Sequence, residues 1–126
     1  TSEESKQFSK IFSIECKFYK DIDLFSIITG SKKGILSFWE QANDQAKQSK
    51  KEPLLIVKEN YKPTLLVTNE KIATYFEKYF RIHYKIEVRL DGENYFYIYD
   101  FDKDFLTISP EDFKMMLNEL EKYRTN

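Results

Sequence analysis

Between residues 11 and 19 the chain alternates, with Ile14, Cys16 and Phe18 on one side and Ser13, Glu15 and Lys17 on the other. Successive side chains of a strand point to opposite faces, so the run predicts a strand with Ile14, Cys16 and Phe18 toward a core and Glu15 and Lys17 outward together. The period then lengthens. Ile35, Phe38, Trp39, Ala42 and Ala46 recur at helical spacing and predict a helix over 33–49 with one buried stripe. An acidic turn at 21–23, an apolar stretch over 24–28 and Gly30-Ser31 as a cap lie between the two. Pro53 opens the continuous apolar run Leu54-Leu55-Ile56-Val57, and after a turn over 59–63 comes Thr64-Leu65-Leu66-Val67. Short apolar runs bounded by turn residues suit strands covered on both faces, and strand, helix, strand is a βαβ unit.

Thr68 or Asn69 is placed to cap a helix over 70–80 with Ile72, Phe76, Tyr79 and Phe80 on its apolar side. Strands follow over 83–90 and 95–99, joined through the hairpin signal Asp91-Gly92-Glu93-Asn94. Ser109-Pro110-Glu111-Asp112 starts a last helix with a capping Ser, Pro at the first helical position and two acids favoured by the helix dipole; Phe113, Met116, Leu117, Leu120 and Tyr123 form its stripe. The polar run over 1–7 reads as a connection or frayed start. The expected fold class is α/β, one domain over 1–126: a mixed sheet with the Glu15–Lys17 strand near its centre, helices packed against it, and a C-terminal β-hairpin and helix.

Composition narrows the function classes. Hydrophobic residues make up 41% of the 126 and aromatics 17%, with three Gly and three Pro, which excludes a disordered chain. Apolar runs fall far short of the roughly 20 residues of a membrane span, and no signal segment opens the chain, so the expectation is a cytoplasmic protein with no membrane partner. One Cys and one His, Cys16 and His83, cannot build a tetrahedral zinc site or an intrachain disulfide; Cys16 reads as a small buried hydrophobe. Residues 1–63 hold eleven Lys and nine acids, net +2, whereas 64–126 hold nine Lys or Arg and twelve acids, net −3. A polyanion is expected to meet the first half.

Candidate chemistry centres on Glu15 and Lys17. A carboxylate and an ammonium two residues apart on one strand face match half of a metal-dependent phosphodiesterase site, the acid holding the cation and the lysine beside the attacking water. Glu and Lys on an edge strand are equally an ordinary solubility device. Gln41 and Gln45, four apart on the helix beside Phe38, are placed to reach toward the strand, and Lys58 ends the strand after that helix. Read otherwise, they are solvated border positions. Asp100, Asp102, Asp104 and Glu111 imitate the acid spacing of a calcium loop, but Phe105 stands where Gly is required. The aromatics Tyr95, Phe96, Tyr97, Tyr99 and Phe101 could stack on bases, yet alternate as a core face plus a tyrosine-rich outer face.

Three segments together resemble the PD-(D/E)XK nuclease superfamily, and within it the Holliday-junction-resolvase-like endonucleases of phages. They are Ser13-Ile14-Glu15-Cys16-Lys17-Phe18-Tyr19-Lys20, then Ser37-Phe38-Trp39-Glu40-Gln41-Ala42 with Gln45-Ala46, then Glu52-Pro53-Leu54-Leu55-Ile56-Val57-Lys58. In order and spacing they are similar to the family's third core strand, following helix and fourth strand, and 109–113 looks like the start of its C-terminal helix. The resemblance implies a restriction-endonuclease-like fold and Mg- (or Mn-) dependent cleavage of DNA, branched or structured. It makes Glu15 and the backbone carbonyl of Cys16 metal ligands, Lys17 a catalytic residue, Gln41 or Gln45 a supporting polar group, and Lys20, Lys32, Lys33 and Lys58 contacts to DNA. The family's Asp on the preceding strand has no counterpart; Glu3 and Glu4 lie at a tolerable spacing but in a polar run. The expectation is that this Asp lies upstream of Thr1, leaving an open strand edge at which a homodimer could form. The rival readings are a non-catalytic DNA-binding or scaffold domain that retains the fold, and a protein-interaction module with an aromatic surface.

Overall fold

The structure, a computed structural model, describes residues 3–18, 35–58, 64–82, 84–90, 93–100 and 106–125. The turn at 21–23, the stretch over 24–28, the turn over 59–63, Lys20, Lys32, Lys33, His83, Asp102 and Asp104 lie outside the described residues.

The described elements are α1 (Glu3–Ile11), β1 (Phe12–Phe18), α2 (Ile35–Ser49), β2 (Glu52–Lys58), β3 (Leu65–Thr68), α3 (Glu70–Tyr79), β4 (Arg81–Ile82), β5 (Lys85–Leu90), β6 (Glu93–Asp100), β7 (Leu106–Thr107) and α4 (Pro110–Thr125). Five strands form one sheet in the order β1-β2-β3-β6-β5. β1 and β2 run parallel, joined by the crossover that contains α2, while β2-β3, β3-β6 and β6-β5 are antiparallel. The fold is therefore α/β, a restriction-endonuclease-like mixed sheet flanked by helices, with a hairpin and a helix at its C-terminal end. β4 and β7 form a separate two-stranded ribbon that the alternation pattern did not signal, because two-residue strands have no period to read.

Each sheet face carries its own core. On one face Phe12, Leu54, Leu66, Tyr97 and Tyr99 pack with Ile72, Ala73 and Phe76 of α3 and Met116, Leu117 and Leu120 of α4. On the other, Leu55, Val57, Val67, Phe96, Ile98 and Val88 pack under Ile35, Leu36, Trp39 and Ala42 of α2. Trp39 is 1% exposed and its ring lies 5.5 Å from that of Phe96. Fully burying an aromatic of this size contributes about 3 kcal/mol or more.

Several turns show how local chemistry fixes the frame. Asn69 caps α3, its side-chain oxygen accepting from the Ile72 N–H at 3.0 Å, and Ser109 does the same for α4 with Asp112 at 3.1 Å. α2 ends in a Schellman turn: the Lys50 N–H donates to the Lys47 carbonyl at 3.2 Å and the Lys51 N–H to the Ala46 carbonyl at 2.9 Å. Lys50 occupies the left-handed position at φ 57, where a Cβ costs about 1 kcal/mol or more and Gly is the usual residue. The carbonyl of Pro53, on the second residue of β2, accepts from the buried Thr68 hydroxyl at 2.9 Å.

Three expectations are corrected. The polar start is a helix: Phe8, Ile11 and Phe12 follow i, i+3, i+4 spacing, and Phe8 and Ile11 join the core beneath α4. Second, the strand bearing Glu15 and Lys17 lies not near the centre but at one edge of the described sheet, with β2 as its neighbour. Third, the faces of β1 are reversed in burial. Ile14 is 44% and Phe18 82% exposed, and Cys16 is exposed, whereas Ser13, Glu15 and Lys17 are half-buried. The reason lies in the covering helices. α2 leans over β1 on the Glu15 side, while on the opposite face the core under α1, α3 and α4 takes in Phe12 and leaves Phe18 exposed.

Candidate functional site

Strand geometry puts Glu15 and Lys17 on the same face of β1, with side chains about 7 Å apart at their roots. In the parallel register Glu15 is level with Leu55 and Lys17 with Val57, both fully buried beneath α2. The pair thus stands where the apolar floor of the α2 core meets solvent. Lys17 Nζ lies 5.7 Å from the centre of the Phe38 ring on α2, within cation–π range. Neither Glu15 nor Lys17 makes a hydrogen bond or ion pair with another described residue, so both charged groups keep their capacity for a ligand.

Crossover helices run antiparallel to the strands they connect, which orders the rest of the site. Lys17 near the end of β1 meets Phe38 near the start of α2; going back along β1 to Glu15 means going forward along α2. Gln41 lies three residues past Phe38, about 4.5 Å along the axis, and Gln45 about 10 Å. Gln41 is therefore nearer to the level of Glu15, and Gln45 stands farther down, toward the start of β1. Both are exposed. Phe38, which orients Lys17, reads in the sequence as one more member of a buried helical stripe; its half-exposed position at the rim carries no signal of its own.

The remaining sequence candidates fall elsewhere. Lys58 is paired with Phe18 and shares its face, opposite to that of Lys17. Glu3 and Glu4 occupy the first turn of α1 and line a crevice of about 500 Å³ with Lys6, Lys114 and Asn118, on the α4 side of the sheet. Neither joins Glu15. Asp100 ends β6 and is level with Leu65, two strands beyond β2. Among the described residues no three His, Cys, Asp or Glu side chains come together to hold a metal ion.

Oxygen is the donor element in reach on this face of β1: the Glu15 carboxylate, which has no partner among the described residues, and the adjacent backbone carbonyl of Cys16. Such donors suit a hard divalent cation that retains several waters. Among the described residues no helix is long and apolar enough to cross a membrane.

A family model, that of phage putative PDDEXK endonuclease, matches residues 1–115. No curated protein and no solved structure matches the chain.

Proposed function

The chain belongs to the family of phage PDDEXK endonucleases, and from that membership and the Glu15–Lys17 geometry we propose that it is a divalent-metal-dependent endonuclease that hydrolyses phosphodiester bonds in DNA, branched or structured DNA in particular. The observation that carries the reading is a half-buried carboxylate and ammonium on one strand face, neither paired with another charged group among the described residues, beside a helix that supplies a ring to the lysine.

Glu15 and the Cys16 carbonyl would hold magnesium or manganese. A bound divalent ion would polarise the scissile phosphate and supply hydroxide-like water near neutral pH. Lys17 serves as a donor to the nucleophile or to the charge that develops on the phosphoryl oxygens. Its position is set by Phe38. Gln41, near the level of the carboxylate, orients the attacking water or a phosphate oxygen through its amide. Because one carboxylate holds magnesium weakly, a second acid completes the site.

The test is cleavage of end-labelled four-way junction and linear duplex DNA by the protein with Mg²⁺, with Mn²⁺ and with excess EDTA. Metal-dependent nicking of the junction in preference to the duplex is expected. Binding of both substrates without cleavage under either metal would favour the non-catalytic DNA-binding domain instead.

A further inference from the structure

β1 lies at one edge of the described sheet, so both of its faces open at the same rim, and the candidate site uses one of them. On the other face stands Phe18, the residue that follows Lys17. It is 82% exposed, more than any other large hydrophobic side chain among the described residues, and its ring touches no other described aromatic. Apolar side chains exposed singly are ordinary on a protein surface, so exposure alone decides nothing. Position and area decide more.

A protein partner needs about 800 Å² of surface on each side, arranged around an apolar centre. Phe18, Cys16 and the 44% exposed Ile14, the outward row of this face, together offer on the order of 300 Å². Ile14, moreover, lines a groove with Phe8 and Ile56, which leaves Phe18 standing beyond it at the end of the row. A lone ring of this kind is small for a protein interface and ample for one planar base, whose stacking takes no more than the face of the ring. Stacking also requires no net positive charge, in keeping with a chain whose formal charge is −1.

We infer that Phe18 is a stacking platform for an unpaired base of the DNA whose cleavage is proposed above; the inference rests on that reading and says which DNA structure the site selects. Lys17 and Phe18 are neighbours with Cα atoms about 3.8 Å apart, and their side chains leave the strand in opposite directions, so ammonium and ring stand roughly 12 Å apart across the rim. At about 3.4 Å per nucleotide of a stacked strand, that is three to four nucleotides. A duplex, with a persistence length of about 150 base pairs, is too stiff to pass from one face of the sheet to the other over that distance, and its bases are stacked on one another. A single strand leaving a branch point, flap or overhang meets both conditions. It bends across the rim and brings a bare base to the ring.

The experiment uses the protein with Glu15→Gln, so that DNA remains intact, in anisotropy titrations of a fluorescein-labelled blunt duplex and of the same duplex carrying a single-stranded overhang. Adding Phe18→Ala, which removes an exposed side chain and leaves the core untouched, should weaken binding of the overhang DNA about five- to a hundredfold and of the blunt duplex less than about twofold. The slope of log affinity against log salt should not change, because no charge is removed. Phe18→Trp should restore overhang binding, and Phe18→Leu, apolar but not planar, should not. Equal weakening on both DNAs, or full recovery by Phe18→Leu, would overturn base stacking. Unaltered overhang binding by Phe18→Ala, in a parent that binds it, would overturn the inference and leave the nuclease reading standing. A dimer in sedimentation that Phe18→Ala dissociates would overturn it in favour of a second copy of the chain on this face. Failure of the parent to bind either DNA would overturn both readings.

Discussion

Lys17 on β1 and Phe38 on α2 are held in contact across the seam between strand and helix, the ammonium 5.7 Å from the ring centre. A lysine has four rotatable bonds, and a cation–π contact at a partly exposed site is worth about 0.5–1 kcal/mol, enough to favour one of its orientations. Phe38 is in this sense a positioning residue for the proposed catalysis. Phe38→Leu should lower the cleavage rate about three- to tenfold with little change in substrate affinity, and Phe38→Tyr, which keeps the ring, should restore it. Equal losses in both variants would mean that Phe38 serves packing alone.

The reversed burial of β1 has a direct thermodynamic consequence. Phe12 is 2% exposed and Phe18 82%, although the two stand on the same face of one strand. Phe12→Ser should cost about 3 kcal/mol or more in urea denaturation, and Phe18→Ser less than about 0.5 kcal/mol. Comparable costs at the two positions would contradict the placement of the covering helices.

Trp39 anchors α2 to the sheet beneath the candidate site. Trp39→Ala should destabilise the fold by about 3–5 kcal/mol. A loss under 1 kcal/mol would show that α2 does not form the roof over β2 and β3.

Lys50 stands in a left-handed turn position where glycine is the usual residue. Lys50→Gly relieves the left-handed strain at φ 57, offset in part by the greater freedom of glycine in the unfolded chain, and should raise stability by about 0.5–1 kcal/mol. A lowered midpoint in urea denaturation would contradict strain at this turn.

Much of this architecture was legible in the pattern of side chains, for reasons that differ from element to element. Ile35, Trp39, Ala42 and Ala46 predict α2 and its buried stripe because a helix of four turns repeats its period often enough to be read. Asn69 and Ser109 announce the starts of α3 and α4 through hydrogen bonds that depend on neighbouring residues alone. Glu15 and Lys17 share a face because alternation is local to the strand. Which face is covered is not local. Ile14, Cys16 and Phe18 look like core residues by hydrophobicity, yet a strand at the edge of the sheet takes its burial from helices distant in sequence. Helix α1 gives little signal because residues 1–7 carry no apolar side chain; its stripe begins only at Phe8 and continues into β1. The contact between Lys17 and Phe38 depends on how α2 closes on the sheet, which no short spacing encodes.

The central claim is that Glu15 and Lys17 perform chemistry and do not merely keep an edge strand soluble. The most direct measurement compares the protein with its Glu15→Ala and Lys17→Ala variants in magnesium-dependent cleavage of a labelled four-way junction, with binding of the same junction followed in parallel. Each substitution should lower cleavage by about two to four orders of magnitude, the range for loss of a metal ligand or a transition-state donor, and leave binding within a few-fold of the parent. Cleavage at the parent's rate by both variants would contradict the account and place the chemistry elsewhere in the chain.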